Sequence, residues 1–318
     1  MEPYFSILIP VFNQEGKMDA CFASLKNQTF RDFEVIFVDD GSKDNSYNEL
    51  VKFADDDKRI KIVRHDENKS LFAARITGMK HATGKYVLFL DSDDRLSSDA
   101  CESIYEFLQE NRVDIVCFGF QIVSDVICKD IMPPETKDLI KSYMVGEIFP
   151  AIWKNCYSIS VIKSLLEKAE PFYCNMGEDT CFAGMLYSCA SSHANLNKIL
   201  YYYDYIGGMS HTGSEINKAK IMRDLDSLKA SSNHLRDFLS KYNPGYLEPA
   251  QKAIDTMFRF VLRQHVYYAD DISRAVEVLN LFDTEELARY YDYGCNVMLV
   301  HKLKKEHGLT DEDLNLYL

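Results

Sequence analysis

The amino-acid sequence predicts an α/β domain, a mostly parallel central sheet flanked by helices, followed by an α-helical C-terminal region. Two patterns and a length carry this prediction. Residues 1–120 alternate short apolar, β-branched runs with segments whose apolar residues recur three and four apart. The first pattern is that of buried strands and the second that of helices, and their alternation requires a parallel sheet with crossover helices. Beyond residue 216 only the helical spacing persists. The chain of 318 residues, 47% hydrophobic and 27% charged, has a globular composition and enough length for more than one core.

The elements follow in order. Phe5–Ile9, Glu34–Val38, Ile60–Val63, Tyr86–Leu90 and Asp114–Phe118 read as strands. All but the third look buried on both faces, as parallel strands are. Met18–Gln28, Ser46–Ala54, Leu71–Ala82 and Asp99–Asn111 read as the intervening helices, the last opening on Asp99-Ala-Cys-Glu102, which has the shape of a capping box. From 120 to 215 the pattern loosens, with Pro133-Pro134 marking a loop and aromatic residues gathered near Trp153 and Tyr201–Tyr205. Then Leu225, Leu228, Leu235, Phe238 and Leu239 recur at helical spacing up to a break at Pro244-Gly245. Ala253–Tyr268, Ile272–Phe282 and Glu285–Lys305 read as three further helices. The expected boundary lies between residues 215 and 216.

Composition excludes several functions. A formal net charge of -13 argues against a nucleic-acid partner, which wants a basic surface. The nine cysteines form no CxxC pair and several sit in apolar runs, so they read as core residues in a reducing compartment. The N-terminus lacks the basic stretch of a secretory signal, and no apolar run approaches the ~20 residues of a membrane span. The expected location is cytoplasmic, free or peripheral to the inner face of the membrane. Neither a dinucleotide fingerprint nor a phosphate-binding P-loop occurs.

In an open parallel sheet, ligands bind beyond the carboxyl ends of the strands. Two of those ends are acidic: Asp39-Asp40-Gly41-Ser42 and Asp91-Ser92-Asp93-Asp94. Carboxylates this close repel one another, and their coexistence calls for a cation. Asp-x-Asp supplies the oxygen ligands that Mg²⁺ or Mn²⁺ prefers while leaving positions for a diphosphate. One Asp-rich turn is as readily a surface loop; two at strand ends of one sheet point to a site.

Four ordered stretches also resemble the family 2 glycosyltransferases of GT-A fold: Phe5-Ser-Ile-Leu-Ile-Pro-Val-Phe-Asn13, Gln28 through Asp44, Ala73-Ala-Arg75, and Gly84 through Asp94. The likeness resumes at Gly177-Glu-Asp179 and at Tyr201–Ser210. It implies a catalytic domain over 1–215, with nucleotide-sugar binding in 1–120 and the acceptor side and base in 121–215. The implied reaction moves a sugar from a nucleoside-diphosphate donor, UDP being the family's commonest nucleotide, to a hydroxyl of a glycan, glycolipid or glycoprotein, with inversion. By the resemblance, Pro10, Val11, Phe12, Asn13 and Asp40 would hold the base, with Asp39 nearby. Arg75 would lie along the nucleotide, and Asp91 with Ser92 would face the ribose or donor sugar. Asp93, helped by Asp91 and by His211, would hold Mn²⁺ or Mg²⁺, and Asp179 would be the catalytic base. Taken alone, Arg75 reads as a helix-surface residue, Glu178-Asp179 as an acidic helix N-terminus and His211 as a surface histidine.

The chain departs from the family pattern at Asp204, where an arginine is frequent, at Ile76 in place of an asparagine, and near Ser70 in place of a loop glycine. Trp153 is open to two readings, a platform for a sugar face or a core tryptophan. A sugar nucleotidyltransferase is the nearest rival enzyme, although its Gly-rich N-terminal loop is missing; a non-catalytic module of the same fold is the other. The C-terminal helices carry too many apolar residues to leave in water. They are expected to dock on the catalytic domain and shape the acceptor side, with a homo-oligomer interface as the second choice and membrane attachment as the third.

Overall fold

The computed structural model describes residues 2–55, 57–124, 128–170, 172–204 and 218–267. The first half is a regular α/β alternation. Strands β1 (Phe5–Val11), β2 (Phe33–Asp39), β3 (Ile60–Arg64) and β4 (Tyr86–Phe89) form the parallel sheet order β3-β2-β1-β4, with helices α1 (Asp19–Lys26), α2 (Ser46–Asp55) and α3 (Leu71–His81) between them. All seven residues of β1 and of β2 are buried, whereas β3 on the edge is half-exposed, as the run patterns predict. Gly84 precedes β4 where a Cβ would stand 2.6 Å from the backbone of Phe5 and Ser6, so only glycine lets the chain enter the sheet there.

The sheet then becomes mixed. The two-residue strand β5 (Arg95–Leu96) and helix α4 (Ala100–Glu110) lead to β6 (Ile115–Val123), which pairs with β7 (Cys128–Ile131) as a hairpin. After α5 (Leu139–Met144) comes β8 (Asn155–Ser158), which inserts antiparallel between β4 and β6. Helices α6 (Ile159–Lys168) and α7 (Glu178–Cys189) follow, and β9 (His193–Asp204) runs parallel to β6 while its end pairs with β5. The full order is β3-β2-β1-β4-β8-β6-β9-β5. These later elements are what the sequence leaves loose. β8 has only four residues with a polar start, and α7 is buried on nearly every side, which erases helical amphipathicity.

One local expectation needs correction. Asp99 does precede α4, but its carboxylate makes no capping bond to the helix. It accepts instead from Ser97 Oγ (2.8 Å) and Lys198 Nζ (2.5 Å), and Glu102 takes the hydroxyl of Thr29, so no capping box forms. The Tyr201–Tyr205 cluster lies, as far as Asp204, on strand β9.

The C-terminal region begins with α8 (Lys218–Tyr242), broken by a short turn at Pro244–Tyr246 and continued by α9 (Leu247–Tyr267). Leu225, Leu228, Leu235, Phe238 and Leu239 are all buried, and α8 packs on α7 while α9 packs on α5 and α8. The contact with α7 is close: a Cβ on Gly184 would meet Leu235 Cδ1 at 2.7 Å. Docking on the preceding α/β region is thus the observed arrangement for these two helices. The domain boundary at 215/216, the helices expected at 272–282 and 285–305, and His211 lie outside the described residues.

Candidate active site

The carboxyl ends of β1, β2 and β4 are laced into one rim. Asn13, in a left-handed conformation at φ 51°, donates its N–H to Ser42 Oγ (3.0 Å) and accepts from Lys43 N on Oδ1 (2.9 Å). Gln14 N donates to Ser46 Oγ at 2.7 Å. These bonds tie the loop after β1 to the loop after β2. Pro10 and Val11 belong to β1 and are buried in the sheet, while Phe12 and Asn13 stand exposed on the rim.

Asp39 and Asp40 part company. Asp40 accepts from His65 Nδ1 (2.7 Å), Lys69 N (2.8 Å) and Ser70 N (3.0 Å), so its oxygens hold the 65–70 loop. That leaves little capacity for a nucleobase, against the expectation that Asp40 reads it. Asp39 accepts Ser42 N on Oδ1 (3.1 Å), but its buried Oδ2 receives no hydrogen bond. Arg64, half exposed, comes within 3.0 Å of that atom without hydrogen-bond geometry and lies over the Tyr47 ring. Ser70, standing near the family's loop glycine, has φ 91°, and its Oγ accepts from Ala73 N to cap α3. The strained backbone is held by Asp40 on one side and by that cap on the other.

The second acidic end turns inward. Asp91 and Asp93 are partly exposed, whereas Ser92 and Asp94 are buried. Asp94 accepts from Tyr201 Oη (2.5 Å) and Asp204 N (2.7 Å), and Tyr201 Oη in turn accepts from Asp91 N (3.2 Å). Asp204, where the family often has arginine, thus fixes this turn through its backbone. Burial, and then the negative Asp91, push the Asp93 carboxyl up to about 6. Burial with Asp91 and Asp93 pushes that of Asp94 to about 9. Trp153 is buried and stacks on Tyr201 with ring centroids 4.3 Å apart; it is a core tryptophan behind the turn and not a sugar platform.

Arg75 joins this turn to α7. It is 2% exposed and not on the helix surface. Its Nη2 donates to Asp91 Oδ1 (3.1 Å) and its Nη1 to Asp179 Oδ1 (2.7 Å), with Glu178 Oε1 at 3.4 Å. Burial opposes its charge, but Asp179, Asp91 and Glu178 outweigh it and hold the guanidinium above its ordinary range. Burial raises Asp179 to about 6 despite Arg75, and burial with Asp179 raises Glu178 to about 8. One guanidinium therefore meets three carboxyl groups, those of Asp91, Glu178 and Asp179. Burial first, and crowded negative charge second, raise Asp93, Asp94, Glu178 and Asp179. Among the described residues no three His, Cys, Asp or Glu stand in geometry ready to hold a metal ion.

With this geometry in hand, the relatives are informative. Residues 6–152 match the family described as Glycosyl transferase family 2. Over that stretch, a little under half of the chain, the sequence is similar to the family. The uncharacterized glycosyltransferase EpsJ of Bacillus subtilis is 40% identical over 120 residues, 38% of this chain and 35% of EpsJ. Across three such bacterial relatives the match covers only 30% to 49% of their own length. Two solved structures share the fold at low identity. TarS 1–349 of S. aureus, in complex with UDP-GlcNAc, has TM-score 0.55 and 17% identity over 96% of this chain and 92% of that one. The mannosyltransferase PcManGT of Pyrobaculum calidifontis, with GDP-Man and Mn²⁺, has TM-score 0.53 and 15% identity over 98% and 89%. The GT-A architecture is therefore shared by this chain, with a helical region following the sheet.

Tyr201, Asp204 and the structural role of Asp40 escape sequence reading. Tyr201 meets Asp94 and Asp91 across 107 and 110 residues, and no local pattern announces such a contact.

Proposed function

We propose that the chain is an inverting glycosyltransferase that moves a sugar from a nucleoside-diphosphate donor, a UDP-sugar foremost, to a hydroxyl of a glycan, glycolipid or glycoprotein at the cytoplasmic side of the cell. The observation that carries this reading is the bridge Asp91–Arg75–Asp179 at the carboxyl end of the sheet. It sets a carboxylate from α7 opposite the acidic turn after β4. The nucleoside-diphosphate sugars held by TarS and PcManGT support the donor class.

Asp179 has one oxygen committed to Arg75 and keeps 28% of its side chain exposed, so its other oxygen is free to take the proton of an attacking hydroxyl. A single base and a single displacement give inversion at the anomeric carbon. Arg75 holds the base and Asp91 in one frame, which fixes the direction of attack. At the other end, the exposed ring of Phe12 offers a face for a nucleobase. Asp39 Oδ2, lacking a hydrogen bond, offers an acceptor for a base N–H once Arg64 is displaced. Asp39 thus takes the base-reading role that the family pattern suggested for Asp40.

The residues fit a divalent cation. Asp93 and Asp91 sit in an excess of negative charge that a diphosphate would only increase, and hard oxygen ligands suit Mn²⁺ or Mg²⁺. When bound, such an ion would offset the charge gathering on the leaving diphosphate. His211 stays a candidate ligand by resemblance alone.

A panel of nucleotide sugars, incubated with Mn²⁺ or with excess chelator, tests the proposal. Release of a nucleoside diphosphate from one donor, lost in chelator, is the expected result. Pyrophosphate as product would make the chain a nucleotidyltransferase. Turnover of no donor, with no binding by calorimetry, would leave a non-catalytic module.

A further inference from the structure

The segment before α7 is held from two directions. Asn175 N (2.9 Å) and Met176 N (3.0 Å) both donate to one side-chain oxygen, Ser227 Oγ on α8. On the opposite side, Asn175 Oδ1 accepts from Leu71 N (2.9 Å) in the first turn of α3, Cys174 N donates to Ser70 Oγ (3.1 Å), and Phe72 N donates to Cys174 O (3.2 Å). Gly177 follows in a left-handed conformation at φ 79°, its missing Cβ 2.8 Å from Ser231 Oγ and 2.9 Å from Leu228 Cδ1 of α8. Glu178 and Asp179 then open α7, and Asp179 returns to α3 through Arg75, one helical turn beyond Leu71.

These bonds close a ring: Ser227 holds Asn175 and Met176, which lead into Asp179; Asp179 binds Arg75; and the first turn of α3 binds back to Asn175. Ser227 is buried, and its hydroxyl lies 3.4 Å from Met176 O and 3.5 Å from Cys174 Sγ. A hydroxyl that accepts two backbone N–H groups in sequence fixes the path of the chain there, because both donors are satisfied from one point on α8.

We infer that Ser227 is a positioning residue for the reaction, through which helix α8 sets the place of Asp179 and Arg75. The helical region is then part of the active-site framework and not only a cover for apolar surface. The inference rests on the reading of Asp179 as the base.

The test compares Ser227→Ala and Ser227→Thr in the full chain. Turnover is measured at saturating donor and acceptor, donor affinity by calorimetry, and amide hydrogen exchange over residues 172–182. Misplacing a base by about 1 Å costs up to ~10²-fold in rate. Ser227→Ala is therefore expected to lower kcat by roughly 10- to 100-fold. Donor Kd should stay within about threefold, and exchange should quicken in that stretch alone. Ser227→Thr, which keeps the hydroxyl, should recover most of the rate. Asp179→Asn is run in parallel. Turnover near the parent level in that variant would sink the base reading itself. An unchanged kcat in Ser227→Ala beside an inactive Asp179→Asn would overturn the positioning role alone. So would a fall in kcat accompanied by faster exchange across the whole chain, or by an equal loss of donor affinity. If Ser227→Ala does not fold, Ser227→Thr and Ser227→Cys carry the comparison, and parent-level kcat with the weakly accepting thiol would overturn the role.

Discussion

At the scale of single residues, the proposed roles of Asp179 as base and Asp93 as metal ligand separate chemistry from donor binding. Asp179→Asn keeps shape but removes the base, so turnover should fall by about 10²-fold or more while donor affinity measured by calorimetry barely moves. Lost donor binding with parent-like turnover would make Asp179 structural. Asp93→Ala should abolish transfer and weaken diphosphate binding. Because Asp179 acts ionised and its carboxyl lies at about 6, the rate should fall about tenfold per pH unit below that value, read as log kcat against pH. The same charges set stability. Glu178 lies at about 8 and Asp94 at about 9, above the ordinary ~4 of free carboxyls. Raised values mean that the folded chain binds protons more tightly than the unfolded one. Stability is therefore greatest below the ordinary value and is lost as pH rises towards 8–9. In chelator the melting temperature should fall between pH 6 and 8.5, and Mn²⁺ should flatten that slope. An upward slope in chelator would contradict the charge assignment.

At the scale of elements, what was legible depended on whether the cause was local. β1, β2 and β4 announce themselves because strands buried on both faces are unbroken apolar runs, and the acidic ends of β2 and β4 point to the candidate site. Ser70 could be flagged as standing in for a loop glycine, yet its positive φ and its cap on α3 need the fold to appear. Arg75 reads as a surface residue by its helix and as a nucleotide contact by the family resemblance. Only the arrival of α7, about a hundred residues later, reveals it as the buried link between two acids. Likewise the plan of 139–204 was invisible because short strands and an all-round buried helix carry no period. Gly177 tests this level of the structure. An alanine there would meet both a left-handed backbone and the Ser231 and Leu228 side chains. Gly177→Ala should cost about 1–3 kcal/mol of stability in urea unfolding and lower kcat with it. Parent-like stability and rate would show that the α7 entrance adapts freely.

At the scale of the whole molecule, the question is whether residues 1–217 suffice. The sheet and its first helices carry most of the buried core, which on its own would suggest that they do. The packing argues otherwise. α8 covers α7 with Leu225, Leu228, Leu235, Phe238 and Leu239, and α9 brings Ala253, Ile254, Met257 and Phe258. Large apolar side chains contribute roughly 1.5–3 kcal/mol each when fully buried. Removing them also bares their partners on α5 and α7, so the loss reaches or exceeds the 5–15 kcal/mol that typically holds a domain together. The damage would fall on the helix that carries Asp179. Among the described residues no helix is long and apolar enough to cross a membrane. A chain ending at residue 217 should therefore aggregate, or stay soluble only without a cooperative melt, and should fail to transfer sugar even where weak donor binding survives. Size-exclusion chromatography, thermal unfolding and the donor-release assay read these three properties independently. A truncated protein that is monomeric, melts cooperatively and transfers at the full-length rate would show that α8 and α9 are dispensable, and would remove the structural basis for assigning Ser227 a part in the reaction.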